Sequence, residues 1–346
     1  MPGGFAEALD LQHRSLDNPL VRVRVQARQT YVFAEALRLG WKPVRAEALV
    51  KLGLNTLQSS CRREDGLFGR RLDLETGELT DPVADLYDTA FAFYALANSR
   101  DVAPALVDAL LEQTCAAISI YLTHPAGGYV ESLPEPDHRL QNPHMHLFEA
   151  TLALIQTTGY EKHRARARSL YDLFNTHFFD QKTGTLGERF SRGDWSIPDG
   201  DAGNIIEPGH HFEWVWLLHA YAHTLSVEVS PAASTLYKFA CATLDPEGRA
   251  VQSCTRDGRL VDTSRRTWTQ TEALKAHLAM HLTGEREAEA RAIRSFDILM
   301  DEYLTPEGGW IDHYDGDGQV ISQNMPASTG YHVVLAFLEL IKASGA

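Results

Sequence analysis

The 346-residue sequence has few cysteines, no excess of basic residues and no long uninterrupted apolar run. Its four cysteines form no Cys-x-x-Cys pair and lack histidines at zinc-ligand spacing, which argues against a disulfide scaffold and a structural zinc site. Lys and Arg total 32 against 46 Asp and Glu, so the formal net charge is −14. A chain this acidic is not expected to bind nucleic acid or an anionic membrane.

The N-terminus lacks the basic–apolar–cleavage pattern of a signal peptide, and no apolar run reaches the roughly 18 residues that a membrane span requires. With the cysteine usage, this predicts a soluble, cytoplasmic protein. Hydrophobic residues make up 44% of the chain and charged residues 23%, the proportions of a globular protein with a sizeable core.

Loops containing glycine recur along the chain. They are spaced 57 to 64 residues apart and contain Gly3, Gly66, Gly127, Gly184, Gly248 and Gly308. Self-similarity with a long period indicates a repeat architecture. We therefore assign residues 1–346 to one catalytic domain.

Between the loops, two kinds of helical pattern alternate. One set is apolar on nearly every side, which is typical of buried helices, and covers 28–39, 87–97, 146–154, 212–221, 268–281 and 331–341. The other set is amphipathic and covers 44–60, 104–122, 163–178, 231–244 and 286–304. This alternation predicts an all-α fold, an (α/α)6 barrel of six inner helices and about five outer helices. A six-bladed propeller would need strands, and a solenoid of helical hairpins would repeat every ~34–47 residues.

The first glycine loop begins at residue 3, so no outer helix precedes the first inner helix. Another element of the chain, or a second subunit of a homodimer, would have to cover that position. A twelfth helix would contradict this count.

Each inner helix carries a polar or ionisable residue at a comparable distance, 19 to 26 residues, from its glycine marker: Arg28, Tyr87, His146, His210, Glu272 and His332. If every loop leads into an inner helix, these residues lie at similar depth and face one polar pocket.

The strongest local signal lies in 207–214, Glu-Pro-Gly-His-His-Phe-Glu-Trp. His210 and Glu213 are spaced i, i+3, so both project from one face of a helix. His146 and Glu149 repeat the same His-x-x-Glu pattern. Ionisable groups at the start of a buried helix are costly unless they are partnered, and such positions are often functional.

Three chemistries are compatible with these residues. Two His-x-x-Glu pairs could bind a metal, although the usual di-iron pattern has the reverse order, Glu-x-x-His. Histidines on opposite walls of a pocket could instead transfer a proton beside a carbonyl, because the pKa of histidine lies near 6.5. A glycoside hydrolase would need a carboxylic acid pair, for which Glu188, Glu207, Glu213 and Glu272 are available. The excess of histidine favours proton transfer, with neither metal nor cofactor.

In these segments the chain resembles the N-acylglucosamine 2-epimerase superfamily, which includes mannose isomerases, sulfoquinovose isomerases and cellobiose 2-epimerases. The resemblance runs from Gly3 to the C-terminus. It is carried by Gly3-Gly4-Phe5-Ala6-Glu7, Gln26-Ala27-Arg28-Gln29, Leu86-Tyr87-Asp88, Asn142-Pro143-x-Met145-His146-x-x-Glu149, Glu207-Pro208-Gly209-His210-x-x-Glu213-Trp214, Trp268-x-Gln270-x-Glu272-Ala273 and Tyr331-His332.

The resemblance implies an (α/α)6 barrel that acts, without a metal, on the C1–C2 end of an open-chain monosaccharide. It implies that His210 and His332 are general acid/base residues that exchange the C2 proton through a cis-enediolate, with Glu213 and Glu272 as their carboxylate partners. Arg28 would polarise the carbonyl oxygen and stabilise the enediolate.

The remaining implied site residues bind the sugar. His146, with Glu149, would position the substrate or open its ring; Tyr87 and Asn142 would bind hydroxyl groups, and Trp268 would stack on the sugar.

Residues 268–272 are more similar to isomerases acting on mannose or its phosphate than to acylglucosamine epimerases. The function implied is therefore an aldose–ketose isomerase of the D-mannose/D-fructose type. The alternatives are a 2-epimerase for N-acylglucosamine or another aldose on the same fold, an (α/α)6 glycoside hydrolase, and a non-catalytic sugar-binding barrel.

Overall fold

The computed structural model describes residues 3–345, which form two compact units. The first unit contains residues 3–8, Ser15–Phe174 and Phe190–Ser196. The second contains Leu9–Arg14, Asn175–Arg189 and residues 197–345. The assignment of residues 1–346 to one domain stays a prediction, and its terminal residues 1, 2 and 346 lie outside the described ones.

Six helices form the first unit. The apolar helices α1, α3 and α5 pack in sequence, α1 against α3 and α3 against α5, while α2, α4 and α6 each pack on the apolar helix that precedes them. The bounds are α1 Val23–Arg38, α2 Pro43–Ser59, α3 Leu86–Asn98, α4 Pro104–Ala117, α5 Gln141–Thr158 and α6 Glu161–Leu173. A π-helical turn, Ile118–Leu122, continues α4, and another, Phe174–Phe178, continues α6 where the chain passes into the second unit.

The second unit is organised around α10, which packs against α8, α11 and α12, while α9 packs on α8. The bounds are α7 Asp201–Asn204, α8 Pro208–Leu225, α9 Pro231–Ala242, α10 Thr267–Leu282, α11 Ala288–Ile298 and α12 Thr329–Ser344, with a π-helical turn, Leu299–Tyr303, after α11.

The predicted helices are observed: α1, α3, α5, α8, α10 and α12 correspond to the predicted inner set, and α2, α4, α6, α9 and α11 to the predicted outer set. The described residues contain a twelfth helical segment, α7, which the sequence analysis did not anticipate. It is a single turn just before α8 and not an outer helix, so five outer helices remain.

Pairs and triplets of residues form short strands between the helices. Antiparallel sheets in the first unit join β2 (Leu20–Arg22), β3 (Arg71–Asp73) and β4 (Leu79–Asp81), and β5 (Ala84–Asp85) with β6 (Ser132–Leu133). Those in the second join β8 (Phe179–Asp180) with β9 (Thr185–Leu186), β11 (Ile205–Ile206) with β12 (Ser253–Thr255) and β13 (Leu260–Asp262), and β14 (Arg265–Arg266) with β15 (His313–Tyr314). The others are β1 (Ala8–Asp10), β7 (His138–Leu140), β10 (Arg189–Ser191) and β16 (Asn324–Pro326).

Each inner helix begins within three residues of the end of a strand, so a sheet edge fixes where the helix starts. Proline occupies the first position of α8, as it does of α2, α4 and α9, where its missing N–H costs no intrahelical hydrogen bond. The start of α8 is therefore set by both a strand and a proline.

Four of the glycine loops are tied to inner helices by the same kind of hydrogen bond. A backbone N–H just after the glycine donates to a buried side chain near the start of an inner helix, at distances of 2.7 to 3.0 Å: Phe5 to Gln26, Tyr129 to His144, Leu186 to His211 and Ala250 to Gln270. We call Gln26, His144, His211 and Gln270 the loop anchors. Each precedes by two positions a residue predicted for the site, namely Arg28, His146, Glu213 and Glu272.

One segment departs from the expectation that no stretch could span a membrane. By length and composition, Pro104–Leu122 is apolar enough, with 19 residues and a mean hydropathy of 1.4, although Asp108 and Glu112 interrupt it. The sequence pattern predicted only an amphipathic helix for this segment, because charged residues interrupt its apolar run. A single helix of this kind is weak evidence for a membrane span, since core helices pass the same test.

Candidate active site

The start of α8 places His210 against a carboxylate from a neighbouring loop. His210 Nδ1 lies 3.0 and 3.1 Å from the two carboxylate oxygens of Glu188, which follows β9. Both side chains are largely buried, with the His210 side chain 7% exposed and that of Glu188 13% exposed. The Nδ1–H therefore donates to Glu188, and Nε2 is the ring nitrogen left to face other groups.

Carboxylates surround His210 and determine its charge. Burial by itself would lower the pKa of this imidazole, but the negative charges of Glu188 first, then Glu207 and Glu213, raise it to about 10. His210 is consequently an imidazolium at neutral pH. Burial also raises the pKa of Glu207, with a further contribution from Glu188, while His210 acts in the opposite direction.

The resemblance implied Glu213 as the carboxylate partner of His210, and for the hydrogen bond this is wrong. The i, i+3 spacing brings Glu213 close enough to raise the pKa of His210, but Glu188 accepts the hydrogen bond. No helical period links 188 to 210, because Glu188 comes from the glycine loop of the same repeat. The spacing of residues in the sequence therefore could not identify Glu188 as the partner of His210, although Glu188 was among the carboxylates considered.

The adjacent His211 is a loop anchor and has a different state. Its Nδ1–H donates to the carbonyl of Glu207 at 3.1 Å, and its Nε2 accepts the backbone N–H of Leu186 at 3.0 Å. Burial lowers the pKa of His211 to about 4. This ring is therefore neutral and structural, so the two neighbouring histidines serve different purposes.

On α12, His332 is held by a second carboxylate. Its Nδ1 lies 2.8 Å from Glu272 Oε1, and the other oxygen of Glu272, Oε2, lies 2.6 Å from Lys275 Nζ. Burial works against ionisation of Glu272, but Lys275 first and then His332 hold the pKa of its carboxyl group below the ordinary value. Glu272 is therefore an ionised acceptor for His332 Nδ1–H. The predicted pairing of Glu272 with His332 is observed.

Trp268 lies beside both histidines. The centroid of its ring is 5.3 Å from that of His210 and 5.9 Å from that of His332. Gly209 lets α8 approach this ring, because a Cβ at Gly209 would lie 2.6 Å from an atom of the Trp268 indole. The two predicted acid/base residues therefore share one aromatic neighbour within the second unit.

The first unit brings the other predicted site residues together. Arg28 Nη2 donates to the hydroxyl of Tyr87 at 2.9 Å, and its guanidinium lies 3.9 Å from the centroid of Phe91. The His146 ring packs edge-on against Tyr87 at 5.0 Å, and its Nδ1 lies 3.0 Å from Glu149 Oε2. Four of the predicted residues, one each from α1 and α3 and two from α5, are thus brought together.

Asn142 lies in the first turn of α5, where its Oδ1 is buried without a hydrogen-bond partner among the described residues. Such an acceptor is suited to a ligand hydroxyl group. The His146–Glu149 pair could contribute two ligands to a divalent cation. At the second His-x-x-Glu motif, the Nδ1 of His210 contacts Glu188 and not Glu213.

The chain matches known proteins over nearly its full length. The sequence model of the N-acylglucosamine 2-epimerase (GlcNAc 2-epimerase) family matches residues 3–336. A mannose-6-phosphate isomerase of Rhizobium meliloti (strain 1021) is 32% identical over 351 residues, which cover 98% of this chain and 90% of that protein.

Solved structures give the same result for the fold. The crystal structure of a D-mannose isomerase has a TM-score of 0.88 at 22% identity, covering 98% of this chain and 92% of that one. A cellobiose 2-epimerase from Spirochaeta thermophila DSM 6192 has a TM-score of 0.88 at 23% identity, covering 99% and 90%. These likenesses confirm the predicted fold class, because such enzymes are (α/α)6 barrels.

Proposed function

The chain belongs to the N-acylglucosamine 2-epimerase family and is a sugar isomerase or 2-epimerase, and we propose that it interconverts an aldose and a ketose of the D-mannose/D-fructose type. The observation that carries the proposal is the pair of histidines beside Trp268, each with Nδ1 on its own carboxylate. Proton transfer between C1 and C2 needs an acid and a base at once, and these two imidazoles are held in different electrostatic surroundings.

His210 is the acid in this proposal. Glu188, Glu207 and Glu213 favour its imidazolium form, so at neutral pH the ring carries a proton that Nε2 can donate. His332 is the base. Its Nδ1–H is committed to the ionised carboxylate of Glu272, which leaves Nε2 with a lone pair when the ring is neutral.

The proposed step begins with the open-chain aldose. His332 Nε2 takes the C2 proton, the C–H electrons form the C1–C2 double bond, and O1 becomes the enediolate oxygen that receives the proton of His210. His210 then takes the proton from the O2 hydroxyl, C2 becomes the carbonyl, and His332 returns its proton to C1. Both histidines end as they began, and the sugar has exchanged an aldehyde for a ketone.

The choice of isomerisation over epimerisation is supported by the relative at 32% identity, whose name is mannose-6-phosphate isomerase. A 2-epimerase would share the enediolate and differ in returning the proton to the opposite face of C2. Arg28, Tyr87, His146, Glu149 and Asn142 keep the substrate-binding roles that the resemblance implies as part of the proposal.

The test is incubation with mannose, fructose, glucose, N-acetylglucosamine or mannose 6-phosphate in D₂O, followed by NMR. We expect mannose or its phosphate to give the ketose, with deuterium entering at C1 or C2. The matched control is His332→Ala, which should abolish exchange in the same sugar. A C2 epimer without ketose would establish epimerisation instead, and cleavage of oligosaccharides or an absence of turnover for every sugar would refute the proposal.

A further inference from the structure

Lys275 is a buried cation that the step above does not use. It lies one helical turn after Glu272 on α10, and neither side chain is exposed to solvent. Its Nζ lies 2.6 Å from Glu272 Oε2 and 4.0 Å from the centroid of the Trp216 ring on α8. Charged side chains are almost never fully buried unless they are paired, so this position needs a reason.

The neighbours of Glu272 show what the lysine does. The largest charged contributions to the pKa of the carboxyl group are Lys275 from α10 itself and His332 from α12. From α8, the Trp216 ring packs against the ammonium group of Lys275. Two titratable side chains near the start of the same helix, His210 and Glu213, interact electrostatically with each other. A carboxylate buried this deeply would favour the neutral acid, and the attraction that opposes this comes first from Lys275.

We propose that Lys275 is a positioning residue for the acid/base step: by pairing with Glu272, it keeps His332 turned with Nδ1–H toward that carboxylate and Nε2 free of a proton. In this proposal the lysine does not act on the sugar itself. It acts through Glu272. The inference rests on the proposed function for its kinetic consequence, but its structural consequence can be measured without a substrate.

The effect of losing the ammonium follows from counting protons. Without Lys275, the buried pair of Glu272 and His332 carries an uncompensated negative charge, which a proton would neutralise. The proton can sit on the ring, giving an imidazolium beside a carboxylate, or on Glu272, which then donates to Nδ1 while Nε2 keeps a hydrogen. In both arrangements Nε2 bears a hydrogen and cannot accept one from C2.

The experiment compares Lys275→Met, Glu272→Gln and the double variant with the unmodified protein. Lys275→Met should shift the acid limb of the kcat/KM–pH profile upward by at least one unit, so that kcat/KM falls about tenfold or more at pH values on the acid side of the original limb and recovers in alkali. In the double variant the amide oxygen of the glutamine still accepts Nδ1–H but no carboxylate remains to take up a proton. The upward shift should therefore disappear.

A lysine that served only packing would lower activity equally at every pH, and that result would overturn the proposal.

Two-dimensional ¹⁵N NMR of the His332 ring, assigned with His332→Asn, provides the readout without turnover. In Lys275→Met at neutral pH, the Nε2 resonance should change from an unprotonated to a protonated nitrogen. An unchanged resonance in a folded variant refutes the inference about Lys275; a changed resonance in a protein that converts no sugar refutes only the proposed function. If Lys275→Met fails to fold, the stability of Glu272→Gln is compared with that of the double variant. The double variant should be at least as stable, because the lysine has lost its charged partner, and a double variant less stable than Glu272→Gln would refute the coupling.

Discussion

Glu188→Gln tests how the charge of His210 is set. At 1.36 kcal/mol per pKa unit, the rise from 6.5 to about 10 corresponds to roughly 5 kcal/mol in favour of the imidazolium. Glu188 is the carboxylate that contributes most to this rise and accepts the hydrogen bond from Nδ1. The amide of glutamine preserves the shape and an acceptor but removes the charge. If the substitution removes even a third of the effect, the pKa of His210 falls by about one unit.

The assay is the pH dependence of kcat/KM between pH 6 and 11, with the sugar identified by deuterium exchange. If His210 is the acid, the basic limb should move down by about one pH unit in Glu188→Gln, so that kcat/KM falls roughly twofold at pH 9, falls roughly tenfold at pH 11 and changes little near pH 6. Glu213→Gln is the matched control, because Glu213 makes the smaller contribution to the same pKa. A basic limb that stays in place in Glu188→Gln, or moves further in Glu213→Gln, would refute the reasoning.

Stability should respond in the same direction. The pKa of His210 is raised in the folded protein, so its stabilising contribution is complete below pH 6.5 and is lost as the pH rises through about 10. Urea unfolding should therefore show a protein that is less stable at pH 10 than at pH 7. The part of this decrease that is due to His210 should shrink in Glu188→Gln.

Three further predictions concern the acid/base histidines, metal dependence and the packing of Trp268. His210→Ala and His332→Ala should each lower turnover by ~10²–10⁴ with circular dichroism unchanged, and near-normal turnover in either would contradict its assigned role. Treatment with EDTA should leave activity intact; a complete loss that a divalent metal restores would favour the metal interpretation. Gly209→Ala should push Trp268 away from the histidines, with a loss of about 1–3 kcal/mol in stability and a clear fall in kcat/KM. The control is Gly193→Ala, which should behave like the unmodified protein because a Cβ there would meet no atom within 4 Å.

The helices were predictable because their signals are local. Apolar residues at helical spacing and a proline at the first position of α8 located the inner and outer helices to within a few residues at most ends. The single turn α7 has four residues, too few for any periodicity to register. The π-helical turns were read as plain helix, since a π turn keeps the same pattern of apolar residues over so short a length.

The site was predictable only where its partners share a helix or a recognised motif. His146 with Glu149 follows from i, i+3 spacing, and the pairing of His332 with Glu272 came from the resemblance. The choice between Glu213 and Glu188 depends on the path of a glycine loop, which spacing does not encode. Lys275 did leave a signal, a lysine three residues after a glutamate on an otherwise apolar helix, which could have been read as a buried ion pair.

The loop anchors have a consequence for how the repeats can diverge. In four repeats, the loop anchor and the residue predicted for the site lie two positions apart on the same helix, as Gln26 and Arg28 or Gln270 and Glu272 do. In these four repeats, the loop contact and the predicted site residue therefore occupy different sequence positions. The predicted site position can therefore be an arginine in one repeat, a histidine in another and a glutamate in a third, while the hydrogen bond of the loop anchor holds each loop in place.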